Sequence, residues 1–310
     1  MTGVQTCALP ISGITPIAPN YPDTGKKVSS AASAILHTPV NLMIDGKGTI
    51  VFMENDNGRI RAIAPYTFNN FAVTNVSAAS YLNAPSASES IVAAFGTSLA
   101  TGAYPALRIP LATSLGGTTV KVKDSAGLER LAPLFYVSPG QVNYQVPYGT
   151  TLGSANVTIT SSDGKTSNGS IQISSIAPGI FSATSDGAGW AAANIQRVKA
   201  DGSQVVEPVV RYDTQQNKFV PVPINLSNAN ELAYLVLYGT GIRNRNSLMN
   251  VTAKIAGLDM PVEYAGPHCC FVGVDQINIK LPLVLRGRGE IPVVLSVDGK
   301  VANTVLVNFQ

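Results

Sequence analysis

Three adjacent residues, His268-Cys269-Cys270, carry the side chains best suited to chemistry in this sequence. Imidazole and thiolate groups bind zinc, but a zinc site needs four ligands whose spacing lets them converge. Three consecutive loop residues diverge, and the sequence offers no second pair of ligands. Adjacent cysteines could also form a vicinal disulfide. We expect two partly buried thiols at the edge of a loop, and neither a metal nor another cofactor.

A catalytic nucleophile would need a serine or cysteine within reach of an oriented base. The sequence has two histidines, His37 and His268, and they fall in different predicted domains. It has no Gly-x-Ser-x-Gly elbow and no glycine-rich loop that opens a helix to hold phosphate. Its carboxylates are few and dispersed. We therefore predict that the chain has no catalytic residues and is not an enzyme.

The single tryptophan, Trp190, offers a candidate ligand contact together with Asn194 and Arg197. The three residues lie in a stretch that we interpret as an insertion, and inserted loops often carry function. The alternative is that Trp190 fills a local core of the insertion.

A second candidate is the pattern Gln-x-Asn-x-x-x-Pro, which occurs twice. Residues at i and i+2 of a strand share a face, so the two amides are expected to bond nearby backbone at a loop or sheet edge. The proline then ends the strand and removes an edge donor. We interpret the pattern as structural, with sugar or peptide binding as the alternative. Its residues are Gln141, Asn143 and Pro147, and again Gln276, Asn278 and Pro282.

These motifs belong to a longer internal repeat. Gln141 and Gln276 are 135 positions apart, and the same shift relates Asp163-Gly-Lys165 to Asp298-Gly-Lys300. A constant shift across about thirty residues indicates a duplicated domain.

The composition indicates that both copies are β-structure. Of the 310 residues, 45% are hydrophobic and 13% charged, with 28 glycines and 20 prolines, which is typical of short strands joined by turns. We predict an all-β chain with two tandem immunoglobulin-like β-sandwiches, at 67–175 and 176–310. The second has a hairpin insertion at about 187–225.

Residues 13–66 have the pattern of a three-stranded meander, with strands near Val40–Ile44, Ile50–Met53 and Arg59–Ile63. The segment resembles one blade of an NHL-type β-propeller. The residues that carry the resemblance are Pro39, Asp45, Glu54 and Arg59–Arg61. One blade cannot bury both its faces, so we predict a partial propeller whose earlier blades are missing. A plain hairpin extension is the alternative.

Residues 1–12 resemble the translation of a sequencing adapter, and we exclude them, with Cys7, from the fold. The true N-terminus, with any signal peptide, is then expected to be missing.

Three stretches of the repeat resemble the Solibacter-type C-terminal domain, a family of uncharacterised function. They are Leu134–Pro147, Ile176–Phe181 and Val272–Pro282, and Tyr238-Gly-Thr-Gly241 adds to them. The resemblance implies a position at the C-terminal end of a large exported bacterial protein, often after propeller repeats. It implies no reaction.

The net charge of +3 has no concentrated basic face, so we predict no nucleic-acid partner. No apolar run approaches the roughly 20 residues of a membrane span. The sequence favours a non-catalytic, extracytoplasmic structural, adhesion or binding module, secreted or on the cell surface, with a protein or polysaccharide partner. The alternatives are accessory domains of an exported hydrolase or lyase whose catalytic propeller is missing, and a carbohydrate-binding module. The oligomeric state stays open.

Overall fold

The computed structural model describes residues 11–16, 39–44, 50–54, 59–65 and 71–310. The chain divides into two compact units, Met1–Phe68 and Asn69–Gln310. The prediction of an all-β chain is confirmed, since the described residues form strands and two short 3-10 helices, Leu248–Asn250 and Leu283–Leu285. No helix in the described ranges is long and apolar enough to span a membrane.

The described residues of the first unit form an antiparallel sheet of four strands, in the order β1-β4-β3-β2. Its strands are β1 (Ile11–Pro16), β2 (Pro39–Ile44), β3 (Ile50–Glu54) and β4 (Arg59–Pro65). Strands β2, β3 and β4 occupy the positions predicted for the meander. Asp45, His37 and the turn after Glu54 lie outside the described residues. Strand β1 includes Ile11 and Ser12, which the sequence assigned to the adapter segment.

The second unit begins with a sandwich of two sheets, here called the first sandwich. One sheet has the order β10-β11-β15-β16-β5, with β12 paired to β11 and β7 to β16; the other has the order β6-β8-β14-β13-β9. In chain order the strands are β5 (Phe71–Ala72), β6 (Thr74–Ser77), β7 (Ser86–Ala87), β8 (Ile91–Phe95), β9 (Tyr104–Pro105), β10 (Ser114–Leu115), β11 (Thr118–Lys123), β12 (Glu129–Leu131), β13 (Leu134–Val137), β14 (Gln141–Gln145), β15 (Gly153–Thr160) and β16 (Thr166–Ser174).

The core of the first sandwich follows from alternation. Along β15, Ala155, Val157 and Ile159 are buried while their neighbours face outward, because successive side chains of a strand point to opposite faces. Tyr144 of the other sheet is fully buried, and its hydroxyl donates to Asn75 Oδ1 at 3.1 Å. Burial raises the pKa of Tyr144 above its usual range, so the phenol stays protonated.

The second sandwich is built from residues after Ile176. One sheet has the order β19-β18-β22-β26-β25, with β17 paired to β22, and the other has the order β24-β23-β27-β28, with β29 paired to β27. Strands β20 and β21 form a separate hairpin. In chain order the strands are β17 (Gly179–Ile180), β18 (Ala193–Val198), β19 (Gln204–Pro208), β20 (Val210–Asp213), β21 (Lys218–Pro221), β22 (Leu232–Thr240), β23 (Val251–Ile255), β24 (Leu258–Met260), β25 (Val262–Pro267), β26 (Asp275–Leu281), β27 (Gly289–Val297), β28 (Lys300–Val301) and β29 (Val305–Phe309).

The strand pairing places the insertion of the second sandwich later in the chain than we predicted from the sequence. Strand β18 pairs with β22 as β6 pairs with β8, so β18 belongs to the part that both sandwiches share. At Ile224 the chain returns to the arrangement that both sandwiches share. Ile224 forms a parallel bridge with Phe309, just as Ala87 of β7 pairs in parallel with Ser174 of β16. The insertion therefore lies between Val198 and Ile224, and Trp190 precedes it.

The prolines of the repeated motif also differ from expectation. Strands β14 and β26 each have a partner on both sides, so neither is an edge strand. Strand β14 ends at Gln145, before Pro147, and β26 ends at Leu281, before Pro282. The prolines follow the ends of central strands, and the prediction that they remove an edge donor is wrong.

The two sandwiches meet at a fixed junction. The hydroxyl of Thr240 accepts a hydrogen bond from the backbone of Ile91 at 2.9 Å and donates to Gly273 O at 2.8 Å. All of these groups are buried, where an unpaired polar group is costly. Gly187 lies against Ser80 so closely that a Cβ at Gly187 would be 2.1 Å from the carbonyl oxygen. The junction thus has little room for either sandwich to move.

Candidate functional site

The loop between β25 and β26, residues 268–274, contains the chemistry-bearing residues singled out by the sequence. Cys269, Cys270 and Phe271 are exposed at its tip, and Gly273 and Asp275 are buried at its base. We call this segment the disulfide loop, because Cys269 and Cys270 are bonded to each other. The expectation of two partly buried thiols is thereby corrected: the sulfurs are bonded to each other, and both residues are exposed.

His268 organises the tip of the disulfide loop. Its Nδ1 accepts hydrogen bonds from the backbone N–H groups of Cys270 at 3.0 Å and Phe271 at 3.2 Å. The imidazole stacks on the Phe271 ring with a centroid distance of 4.5 Å, and it lies 5.8 Å from the ring of Tyr238. An imidazole nitrogen that accepts two amide hydrogens serves to hold a turn.

The base of the loop is held by buried polar contacts. The Asp275 carboxylate accepts from the backbone of Ile242 at 2.7 Å and from the Arg243 side chain at 2.8 Å. Arg243 reaches Glu89 of the first sandwich at 3.4 Å. The Gly273 carbonyl accepts the hydrogen bond from the Thr240 hydroxyl described above. The exposed tip therefore projects from a base that both sandwiches hold.

The donor atoms of His268, Cys269 and Cys270 lie within 4.8 Å of one another, which is close enough to share a metal ion. Zinc and other soft metals bind thiolates, whereas both sulfurs here are consumed in a disulfide. His268 Nδ1 is also occupied by backbone amides. In this bonding state the cluster does not present a set of metal ligands.

Two grooves flank the disulfide loop. The first, of about 490 Å³, is lined by Arg108 and by apolar residues of both sandwiches, including Ile91, Leu107, Ile109 and Phe271. Leu107 is 86% exposed and lies next to other exposed apolar side chains. A contiguous apolar patch of this kind is unusual on a protein surface.

The second groove, of about 340 Å³, lies on the outer face of the β25–β26 pair. It is lined by Tyr264, Pro267, Cys269, Gln276 and Asn278, none of which is charged. Here the disulfide and the repeated amides come together.

Both repeated amide pairs adopt the same geometry. Gln141 Nε2 donates to Asn143 Oδ1 at 2.8 Å, and Gln276 Nε2 donates to Asn278 Oδ1 at 2.8 Å. The amides of each pair share a face, as predicted, but they bond each other instead of neighbouring backbone. The pair in the second sandwich adjoins the disulfide loop. In the first sandwich a short turn at 138–140 takes the place of that loop.

The set Trp190, Asn194 and Arg197 is not brought together. Asn194 and Arg197 point to opposite faces of β18, because they are an odd number of residues apart. Asn194 Nδ2 donates to the Tyr238 hydroxyl at 3.1 Å on the outer face. Trp190 is partly buried, and its backbone bridges Leu306.

Arg197 is 7% exposed and fully engaged. Its guanidinium bonds both carboxylate oxygens of Glu207, at 2.8 and 2.9 Å, and also contacts Glu231 and the carbonyl of Asn225. Hydrogen bonding to Glu207 raises the pKa of Arg197 and, in return, lowers the pKa of Glu207. These contacts give Arg197 a structural role in joining β18 to β19 and to the segment that contains Asn225 and Glu231.

Tyr264 and Gly266 are site residues that the sequence did not single out. Both lie on β25, and in the register they pair with Asn278 and Gln276. Tyr136 pairs with Asn143 in the same way in the first sandwich. The sequence signal is weak, because the tyrosine lies five residues before the glutamine in one copy and twelve in the other.

No protein-family model matches the sequence, and no curated protein matches it. Among solved structures, the chain is similar to a crystal structure of bovine butyrophilin. The sequence identity is 8%, the match covers 77% of this chain and 99% of the butyrophilin chain, and the TM-score is 0.21. That score is too low to transfer any property from butyrophilin.

Proposed function

We propose that the chain is a non-catalytic, extracytoplasmic binding or adhesion module made of two tandem immunoglobulin-like sandwiches. It contacts a protein or polysaccharide at the cell surface through the disulfide loop. The observation that carries the proposal is the exposed loop tip on a base that both sandwiches hold. Loops positioned by a rigid scaffold are the common form of binding sites on β-sandwiches.

The exposed disulfide supports a location outside the cytoplasm. Disulfides persist in oxidising compartments and are rare where thiols are kept reduced. An exposed pair such as Cys269–Cys270 is open to any reductant present. Secretion or display on the cell surface is the location that suits this bond.

The engagement of the titratable groups supports a non-catalytic role. His268 Nδ1 accepts two backbone hydrogens, and the Asp275 carboxylate is enclosed by Arg243 and backbone amides. Asp124 is likewise buried, and hydrogen bonds from the Thr151 backbone and Arg130 hold its pKa far below the usual range. These contacts give the three groups a role in stabilising loops.

We further propose that the chain is similar in kind to the Solibacter-type C-terminal domain and follows a β-propeller in a larger protein. The four-stranded antiparallel sheet of the first unit supports this proposal, since a propeller blade is such a sheet.

The proposal is tested by presenting the full chain to a glycan array and to a displayed random-peptide library. We expect capture of ligands from one of the two classes, weakened by Phe271→Ser and by the double substitution Cys269→Ser, Cys270→Ser. Val301→Ser is the matched control, because Val301 is 65% exposed on the opposite sheet of the second sandwich. Binding that survives the loop substitutions, or no capture of either class, would overturn the proposal.

A further inference from the structure

The groove on the outer face of β25 and β26 has a floor defined by strand register. Tyr264 lies opposite Asn278, and Gly266 lies opposite Gln276. A Cβ at Gly266 would meet the Tyr264 hydroxyl at 3.1 Å, so the tyrosine ring lies over the space that the glycine leaves. The Tyr264 hydroxyl donates to the Pro267 carbonyl at 2.6 Å, which fixes the ring there.

The groove offers a paired donor and acceptor. Because Gln276 Nε2 donates to Asn278 Oδ1, Gln276 Oε1 remains an acceptor and Asn278 Nδ2 remains a donor. Within residues 71–310, neither atom takes part in a hydrogen bond, and neither atom is buried. Both atoms are therefore open to solvent and preorganised by the contact between the two amides.

The rest of the lining is apolar and uncharged. Cys269, with the disulfide, forms one wall; Pro267 and the Tyr264 ring form another. A sugar ring presents C–H groups on its faces and neighbouring hydroxyls at its edge. The apolar walls fit the C–H faces, and the paired amide donor and acceptor fit two adjacent hydroxyls. None of the five lining residues carries a charge, so the ligand is held by apolar contact and hydrogen bonds.

We propose that this groove is a saccharide-binding subsite, with the ring against Tyr264 and the disulfide, and its hydroxyls bonded to Gln276 and Asn278. The proposal rests on the binding role proposed above and gives it a ligand class. This subsite is distinct from the ligand contact that the sequence suggested at Trp190, because Trp190 does not line the groove. Arg245 Nη1 lies 3.6 Å from the Cβ position of Gly266, so a sugar carrying a carboxylate is a suitable member of the same class.

The first sandwich supplies the control. Gln141 and Asn143 form the same amide contact beside Tyr136, but they have no disulfide loop next to them. Substitutions in the two pairs should cause the same local disturbance, whereas only the second pair should affect binding.

The test uses the full chain with cellobiose, chitobiose, mannobiose, lactose and digalacturonic acid, by saturation-transfer NMR and calorimetry. We expect at least one disaccharide to bind, and its affinity to fall about tenfold or more in Gln276→Ala and in Asn278→Ala. Gln141→Ala and Asn143→Ala should bind as the parent chain does. Circular dichroism and thermal unfolding verify that each variant is folded, and Asn278→Asp provides a second, conservative change.

Three outcomes would overturn the saccharide subsite: no binding of any of the five probes at millimolar concentration, equal losses from both amide pairs, or binding that only Trp190→Ala abolishes. If displayed peptides bind through Phe271 while all five sugars fail, the saccharide subsite is wrong and the broader binding function stands.

Discussion

Thr240 and Ile91 lie 149 residues apart in the chain and are joined by a buried hydrogen bond of 2.9 Å across the junction of the two sandwiches. The same Thr240 hydroxyl donates to the carbonyl of Gly273 in the disulfide loop. One side chain therefore links the first sandwich, the second sandwich and the loop that we propose to bind a partner.

Replacing Thr240 with valine should destabilise the chain, because it leaves the Ile91 N–H and the Gly273 carbonyl buried without partners. Each unsatisfied group costs roughly 1–3 kcal/mol. Urea unfolding followed by Trp190 fluorescence and circular dichroism measures the loss. Phe95 pairs with Gln141 as Tyr238 pairs with Gln276, so Thr97, two residues after Phe95, corresponds to Thr240. Thr97 is exposed, so Thr97→Val should cost less than about 0.5 kcal/mol. Equal effects of the two substitutions would contradict this account of the junction.

Arg197→Ala should lower the free energy of unfolding by roughly 3 kcal/mol, because Glu207 and Glu231 would lose their partner. Arg211→Ala, on the hairpin formed by β20 and β21, is the control. The Arg211 side chain is 61% exposed and pairs with Asp213 at 3.5 Å, so its loss should cost less than about 1 kcal/mol. A neutral Arg197→Ala would show that Arg197 does not have the structural role assigned to it.

Asp124 should make the stability of the chain depend on acid pH. Hydrogen bonds from the Thr151 backbone and Arg130 lower its pKa in the folded state, so its contribution is present above the unfolded carboxyl pKa of about 3.9. That contribution is lost as the pH falls from there towards the folded value.

Asp124→Asn should therefore be less stable than the parent chain at pH 7, and the difference should shrink as the pH is lowered below about 4. Thermal unfolding between neutral and acid pH measures both trends. Asp259→Asn is the control, because the Asp259 side chain is 75% exposed and pairs with the exposed Lys254. A difference between parent and Asp124→Asn that stays constant down to low pH would argue against the assignment.

Alkylation of the oxidised protein should leave Cys269 and Cys270 unmodified, because their sulfurs are bonded to each other. After treatment with a phosphine reductant both thiols should react, since both residues are exposed. Peptide mass spectrometry distinguishes the two states and locates the label. Labelling of either cysteine before reduction would show that the disulfide does not form.

Gly266→Ala should disturb the groove without unfolding the sandwich. The new methyl group would lie 3.1 Å from the Tyr264 hydroxyl and 3.3 Å from the ring carbon that carries it, so the ring must shift and its bond to Pro267 weakens. The expected stability loss is about 1 kcal/mol. Disaccharide titration measures the effect on the groove, and Gly257→Ala is the control. Gly257 has positive φ and open space around it, so its substitution strains only the backbone.

The sequence by itself determined the strand content, the duplication and the shared face of each amide pair. These features depend on local rules, namely alternation along a strand and a constant spacing between Gln141 and Gln276. The same rules could not locate the insertion, because whether β18 is extra or shared depends on its pairing with β22.

Only the tertiary structure decided what surrounds those residues. Tyr264 reaches Asn278 because β25 pairs with β26 across the disulfide loop, and Arg197 turns inward because β18 buries that face. The Gln276–Asn278 pair, which we interpreted from the sequence as structural, becomes part of a groove because a longer loop lies beside it. Contacts between distant strands have no local signature, so residue spacing could predict the amide pair but not the groove that it lines.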